Sequence, residues 1–202
     1  MLETVRRMTE LAIARARPLG SRRAFAAALF ALLALGLAAQ VAGLFLKNVN
    51  WDEFIFLKNV YLTLNGEQHR LIQTSYAHLF TWLPLAGISE VEQVVAGRLV
   101  MFAAWLISLV LLYRLGTRYL DDLAALAGVV LFALFSYNQY HAASFRADNL
   151  LLPVMLAMVL AAGTATPRRV LAAGALGGLG LAISIKAILW APAVLGLLLV
   201  SG

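Results

Sequence analysis

The sequence predicts an all-α, polytopic transmembrane helical bundle of five or six spans, with two interfacial helices in its first outer loop. Three observations predict it. Of the 202 residues, 62% are hydrophobic and only 13% are charged, against about 45–50% and about 25% in an average soluble domain. The apolar residues gather into runs, and a helix of roughly 20 apolar residues spans the hydrocarbon core. The basic residues lie at the ends of those runs, six of the sixteen before residue 24, where a membrane surface attracts them. These figures exclude a disordered chain, a coiled coil and an ordinary water-soluble enzyme. With no Cys in the chain, disulfide frameworks, thiolate zinc sites and cysteine nucleophiles are excluded too. The net charge of +6 therefore points to a membrane surface, and no nucleic-acid partner is expected.

Residues 1–23 form a basic cytoplasmic N-terminus, and 24–202 form the membrane module. The first run, 24–46, holds 23 residues without a charge. It is too long for the apolar stretch of a cleaved signal, typically about 7–15 residues, and reads as an uncleaved anchor. The second run is 99–113, reaching back to about Val94 if Arg98 snorkels. The third is 123–140 and the fourth 150–165. The last, 170–200, is interrupted only by Lys186. It reads as one tilted helix or as two short ones meeting near Lys186, with Pro192 able to bend it. Arg6, Arg7, Arg15, Arg17, Arg22 and Arg23 place the N-terminus in the cytoplasm. Alternation then places 114–122 and 168–169 inside, and 47–93 and 141–149 outside. Ten Lys/Arg fall inside and six outside. In the stretch 171–180, small residues stand at the spacing that lets membrane helices approach closely.

The outer loop 47–93 is the one long polar stretch. Asp52, Asn59 and Thr63 recur at helical spacing, which predicts a helix over 52–64 with one polar face. Asn65-Gly66 stops it. A second helix over about 71–83 gathers Thr74, His78 and Thr81. Both helices suit the interface, with Trp51, Tyr61, Tyr76 and Trp82 at headgroup depth. Asp52 reads as the cap of the first of these helices, as a carboxylate at the membrane–water boundary for acid/base work, or as both, since a cap also holds the carboxylate rigid. Asp148 or Asn149 reads as the cap of the fourth span. An intramembrane Lys186 would cost about 2.5–3.5 kcal/mol without water or a partner.

With this topology Asp52, Glu53, His78, Arg98, His141, Arg146, Asp148 and Lys186 all fall on the outer side. Such a basic cluster suits an anionic ligand presented from the membrane, since Arg binds phosphate bidentately and Lys as a point charge. A carboxylate facing it divides the labour: a base for a nucleophile, cations for a departing phosphate. No cofactor is expected. A divalent ion stays open, because Asp52, Glu53, His78 and Asp148 carry suitable ligand atoms without a fixed metal spacing.

Trp51-Asp52-Glu53 after the first span, the long outer loop, Phe145-Arg146-Ala147-Asp148 at the fourth span and Ser184-Ile185-Lys186 after a small-residue helix resemble one family. The chain is similar to the N-terminal half of GT-C superfamily glycosyltransferases, which include the protein O-mannosyltransferases and the bacterial lipid A aminoarabinose transferases. The resemblance implies an integral-membrane enzyme that moves a sugar from a polyprenyl-phosphate carrier to an acceptor outside the cytoplasm. It implies Asp52 as the catalytic base with Glu53 beside it, while the charges gathered on the outer side nominate His78, Arg98, Arg146, Asp148 and Lys186 as substrate-binding residues. Members of the family run to several hundred residues, so the chain is expected to be incomplete at its C-terminus. Its Ala/Leu/Arg-rich composition suits a bacterial inner membrane. Two other classes compete with the enzyme. One is a non-catalytic module that binds a lipid phosphate or assembles a larger complex. The other is a transporter, which would put charges near the bilayer midplane.

Overall fold

The computed structural model describes residues 19–68, 75–163 and 166–201. Among them there is no strand. The α-helices are α1 (Leu19–Leu46), α2 (Trp51–Leu64), α3 (Trp82–Leu85), α4 (Glu90–Gly116), α5 (Asp122–Leu134), α6 (Ser136–His141), α7 (Ala147–Ala162), α8 (Pro167–Ile183) and α9 (Ala191–Ser201). Two 3-10 turns, Ser75–Phe80 and Ile185–Trp190, complete the order.

Gly20–Leu46 and Glu90–Gly116 are each 27 residues long and apolar enough to cross a membrane. At 1.5 Å per residue each reaches about 40 Å. Asp122–Leu134, Ala147–Ala162 and Ile185–Leu197 are apolar but shorter. The second apolar run is thus the end of a longer helix that starts at Glu90, where Ser89 caps it and Glu92 closes the capping box.

Two runs break where hydropathy alone shows no break. The third ends at Phe135, and α6 starts again at once. The amides that follow replace the helix bonds that are lost. Asn138 Nδ2 donates to the Phe132 carbonyl at 2.7 Å, and Gln139 Nε2 to that of Ala133 at 2.6 Å. Lys47 Nζ then donates to the Gln139 and Tyr140 carbonyls, both at 2.9 Å, at the end of α6. The last run breaks at Ser184, which is extended at φ −157° and ψ 138°. The two-piece alternative describes it, but Pro192 is not the cause. It lies in the first turn of α9, where a missing N–H costs nothing.

The expected outer helix over 52–64 is α2, starting one residue earlier and stopped at Gly66 with φ +71°. Its cap is Asn50, not Asp52: the Asn50 side chain accepts from Glu53 N–H, and the Glu53 carboxylate accepts from Asn50 N–H. Of the second expected helix, 71–74 lies outside the described residues. The rest is the 3-10 turn Ser75–Phe80 followed by α3. Tyr76, Ala77 and Phe80 are buried there.

Helix α4 packs on α5 and α7, α1 on α5, and α7 on α8. The small residues of α8 serve the last contact: Ala173 is buried, Gly177 faces Met158 and Gly180 faces Met155. Phe80, Leu83, Val94, Met101, Phe145 and Met155 form the core between α2, α4 and α7. This core sits directly beneath the polar groups described next.

Candidate active site

Helix α2 presents its two neighbouring carboxylates in different directions, because successive side chains stand about 100° apart on a helix. The Asp52 side chain is 51% exposed, and its Oδ2 lies 3.2 Å from Arg146 Nη1. Arg146 Nη2 reaches Asp148 Oδ2 at 3.6 Å. Asp148 in turn accepts from Lys186 Nζ, at 2.9 Å on Oδ1 and 2.8 Å on Oδ2. Three segments distant in sequence thus form one alternating row: Asp52, Arg146, Asp148, Lys186. The turn at Ser184 aims the last member, since Lys186 N–H donates to Ser184 Oγ at 3.3 Å.

These residues line an open cleft of about 830 Å³, together with Asn59, Tyr76 and Lys58. Asn59 Nδ2 donates to Tyr76 Oη at 3.1 Å. Burial pushes the Tyr76 hydroxyl above its ordinary pKa, despite that bond, and keeps it neutral. The charged lining consists of Asp52, Glu67, Asp148, Lys58, Arg146 and Lys186. The expected basic cluster is therefore balanced: every Arg or Lys of the row already has a carboxylate. Thr63 does not join the Asp52–Asn59 face at the cleft; its hydroxyl donates to the Asn59 carbonyl at 2.8 Å.

The structure places three of the expected site residues elsewhere. Glu53 is 0% exposed and faces the core rather than the cleft. Its Oε1 accepts from Arg98 Nε at 2.8 Å and from Phe145 N–H at 2.9 Å. Its Oε2 accepts from Arg98 Nη2 at 2.7 Å and from Asn50 N–H at 3.1 Å. Burial alone would raise the Glu53 pKa, but the bonds from Arg98, Phe145 and Asn50 hold it below the ordinary value. Arg98 neither snorkels nor reaches the cleft. It is 3% exposed and also donates to the carbonyls of Leu44, Lys47 and Asn48, at 2.9, 3.0 and 3.1 Å. All five of its N–H donors are used. His78 is exposed on the 3-10 turn, outside the cleft lining. Neither Asp148 nor Asn149 caps α7: Arg146 holds the cap position, and Asn149 Nδ2 donates back to the His141 and Ser144 carbonyls. Among the described residues no three His, Asp or Glu side chains gather as a metal site.

Sequence reasoning missed the Glu53–Arg98 pair. One signal was there: Asn50-x-x-Glu53 has the capping-box spacing, which commits the Glu side chain to the helix start.

The profile of the family described as dolichyl-phosphate-mannose-protein mannosyltransferase matches residues 85–202, more than half of the chain. The matched part holds Arg98, Arg146, Asp148 and Lys186, while Asp52, Glu53 and His78 precede it. No curated protein and no solved structure matches. Taken with the all-helical fold and its two long apolar helices, that match places the chain in the dolichyl-phosphate-mannose-protein mannosyltransferase family, whose members are integral-membrane glycosyltransferases of GT-C type.

Proposed function

We propose that this chain moves a sugar from a polyprenyl-phosphate carrier to an acceptor on the non-cytoplasmic side, with Asp52 as general base. The observation that carries this reading is the half-exposed Asp52 carboxylate at one end of a row that continues through Arg146, Asp148 and Lys186 along an open cleft. The family's name supports a lipid-phosphate donor.

The arrangement suits a single displacement with inversion. The acceptor gives its proton to Asp52 as its nucleophilic atom bonds to the anomeric carbon, and the bond from that carbon to the carrier phosphate breaks. The phosphate leaves as a stabilised anion, so no general acid is needed. Arg146 and Lys186 take up its charge. In the free protein these cations are held by Asp52 and Asp148. An arriving phosphate competes for both, and Asp52 is released from Arg146 for proton transfer. Asn59 and the neutral Tyr76 hydroxyl offer hydrogen bonds to the sugar. The topology belongs to the same proposal: five or six crossings, a cytoplasmic N-terminus, residues 47–93 outside with α2 at the interface, and a bacterial inner membrane.

The test is Asp52→Asn in membranes carrying the full-length native protein, assayed for transfer from a lipid-phosphate sugar. Asp52 is not the cap of α2, so Asn leaves the helix start intact and removes proton acceptance. Transfer should fall about 10²–10⁴-fold, the usual contribution of a general base, with donor binding retained. A near-normal rate removes the base assignment and leaves a lipid-phosphate binding module as the better account.

A further inference from the structure

We infer that Glu53 is a positioning residue, which with Arg98 holds Asp52 and Arg146 in register across the cleft. This rests on the reading of Asp52 as the base. The geometry is direct. Asp52 and Arg146, paired at 3.2 Å, come from segments 94 residues apart. Each adjoins a residue bound to the same carboxylate. Glu53 follows Asp52 in the chain, and its Oε1 accepts from the N–H of Phe145, which precedes Arg146, at 2.9 Å. One buried side chain thus ties the first turn of α2 to the turn that opens α7.

That tie is rigid because neither end can relax. The four hydrogen bonds to Glu53 leave its carboxylate no alternative partner to seek, and Arg98 spends all five donors on Glu53, on the last turn of α1 and on the two residues that follow it. Phe145 is held from its other side as well. Its ring is fully buried, stacked edge-on against Phe80 with centroids 4.9 Å apart, and lies over Gly97. A Cβ on Gly97 would come within 2.6 Å of that ring. The residue next to Gly97 is Arg98 itself. Helix α4 therefore grips the turn before Arg146 twice, through the ring and through the carboxylate.

A base must be held within a fraction of an ångström of its working place, and a displacement of about 1 Å can cost on the order of 10²-fold in rate. Glu53→Gln keeps the size and one acceptor oxygen but presents an amide to groups that are all donors. The charged pair is lost, and the link from Asp52 to Phe145 loosens. Glu53 is not among the residues that line the cleft, so its effect must pass through Asp52 and Arg146.

The experiment measures transfer per folded molecule in the full-length protein, with Glu53→Gln, Asp52→Asn and the double variant. Glu53→Gln should lower kcat on the order of 10²-fold while KM for the lipid-phosphate sugar changes about fivefold or less. Added to Asp52→Asn, it should slow the residual reaction far less than about 10²-fold, because the part of its effect that passes through Asp52 has nothing left to position and only the part through Arg146 remains. A normal kcat for Glu53→Gln, or losses that multiply in the double variant, overturns the inference. If Glu53→Gln does not fold, Gly97→Ala decides. It shifts the Phe145 ring without touching the ion pair, and it should lower kcat in the same way; a normal rate there overturns the inference. Near-normal transfer by Asp52→Asn alone is a separate result, which removes the base assignment.

Discussion

Replacing Arg98 by Met tests the buried pair as a determinant of the fold. The change keeps the length and the apolar stem and removes five hydrogen bonds: two to Glu53 and three to the carbonyls of Leu44, Lys47 and Asn48. Glu53, fully buried, is left ionised with only the amides of Asn50 and Phe145. Removing one partner of a buried ion pair costs about 3–5 kcal/mol, most of it the stranded charge. That is a large share of a typical total of about 5–15 kcal/mol. Thermal unfolding of the detergent-solubilised full-length protein, followed by the tryptophan signal, should show a Tm lowered by roughly 6–20 °C, at about 2–4 °C per kcal/mol. The double variant Arg98→Met/Glu53→Gln should regain part of the loss, because a neutral amide is cheaper to bury than an unpaired carboxylate. An Arg98→Met protein that melts with wild type would refute the reasoning, and so would a double variant less stable than the single.

Three further outcomes are expected. Arg146→Gln and Lys186→Gln should each weaken binding of a polyprenyl phosphate by roughly 1.5–3 kcal/mol, the worth of a charge-assisted hydrogen bond; titration calorimetry in nanodiscs reads it, and unchanged affinity in both returns these residues to simple ion pairing with Asp52 and Asp148. A single Cys at Glu67 should react with an impermeant maleimide on intact cells and one at Thr117 should not; the reverse pattern inverts the topology. Because the folded protein holds the Glu53 pKa below its ordinary 4.5, the unfolded chain takes up that proton first as the pH falls. The stability Glu53 contributes is thus complete above about pH 4.5 and drains away below it as the pH falls through the folded value. Melting curves between pH 3 and 7 should show this loss in wild type and a flatter dependence in Glu53→Gln.

Much of the architecture was legible because hydropathy and helix signals are local. The long run before Leu46, the helix after Asn50 and its stop at Gly66 all follow from residues within a few turns of one another. The break at Phe135 was not legible in the same way, and the one at Ser184 was legible only as the alternative of two short helices meeting near Lys186. At Phe135 the replacement hydrogen bonds come from Asn138 and Gln139, side chains whose amides read equally well as part of a continuing span. At Ser184 the extended backbone is held within a packed corner of α8 and the following turn.

By itself the sequence determined the class of molecule, the long polar stretch 47–93, and the nomination of Asp52, Arg146, Asp148 and Lys186 as candidates. These follow from composition, charge placement and spacing, properties that belong to single segments. Only the tertiary structure decided how the charges pair. Asp52 and Glu53 are neighbours of nearly the same chemistry; local spacing sets Asp52 on the face of Asn59 and turns Glu53 to the helix start, but it does not say what Glu53 meets there. Arg98 decides it: standing 45 residues away in the chain, it meets Glu53 in the core. Burying that charge is tolerable only where an opposite charge and a full set of hydrogen bonds meet it. The helix then leaves Asp52 about 100° away, in the open cleft beside Arg146.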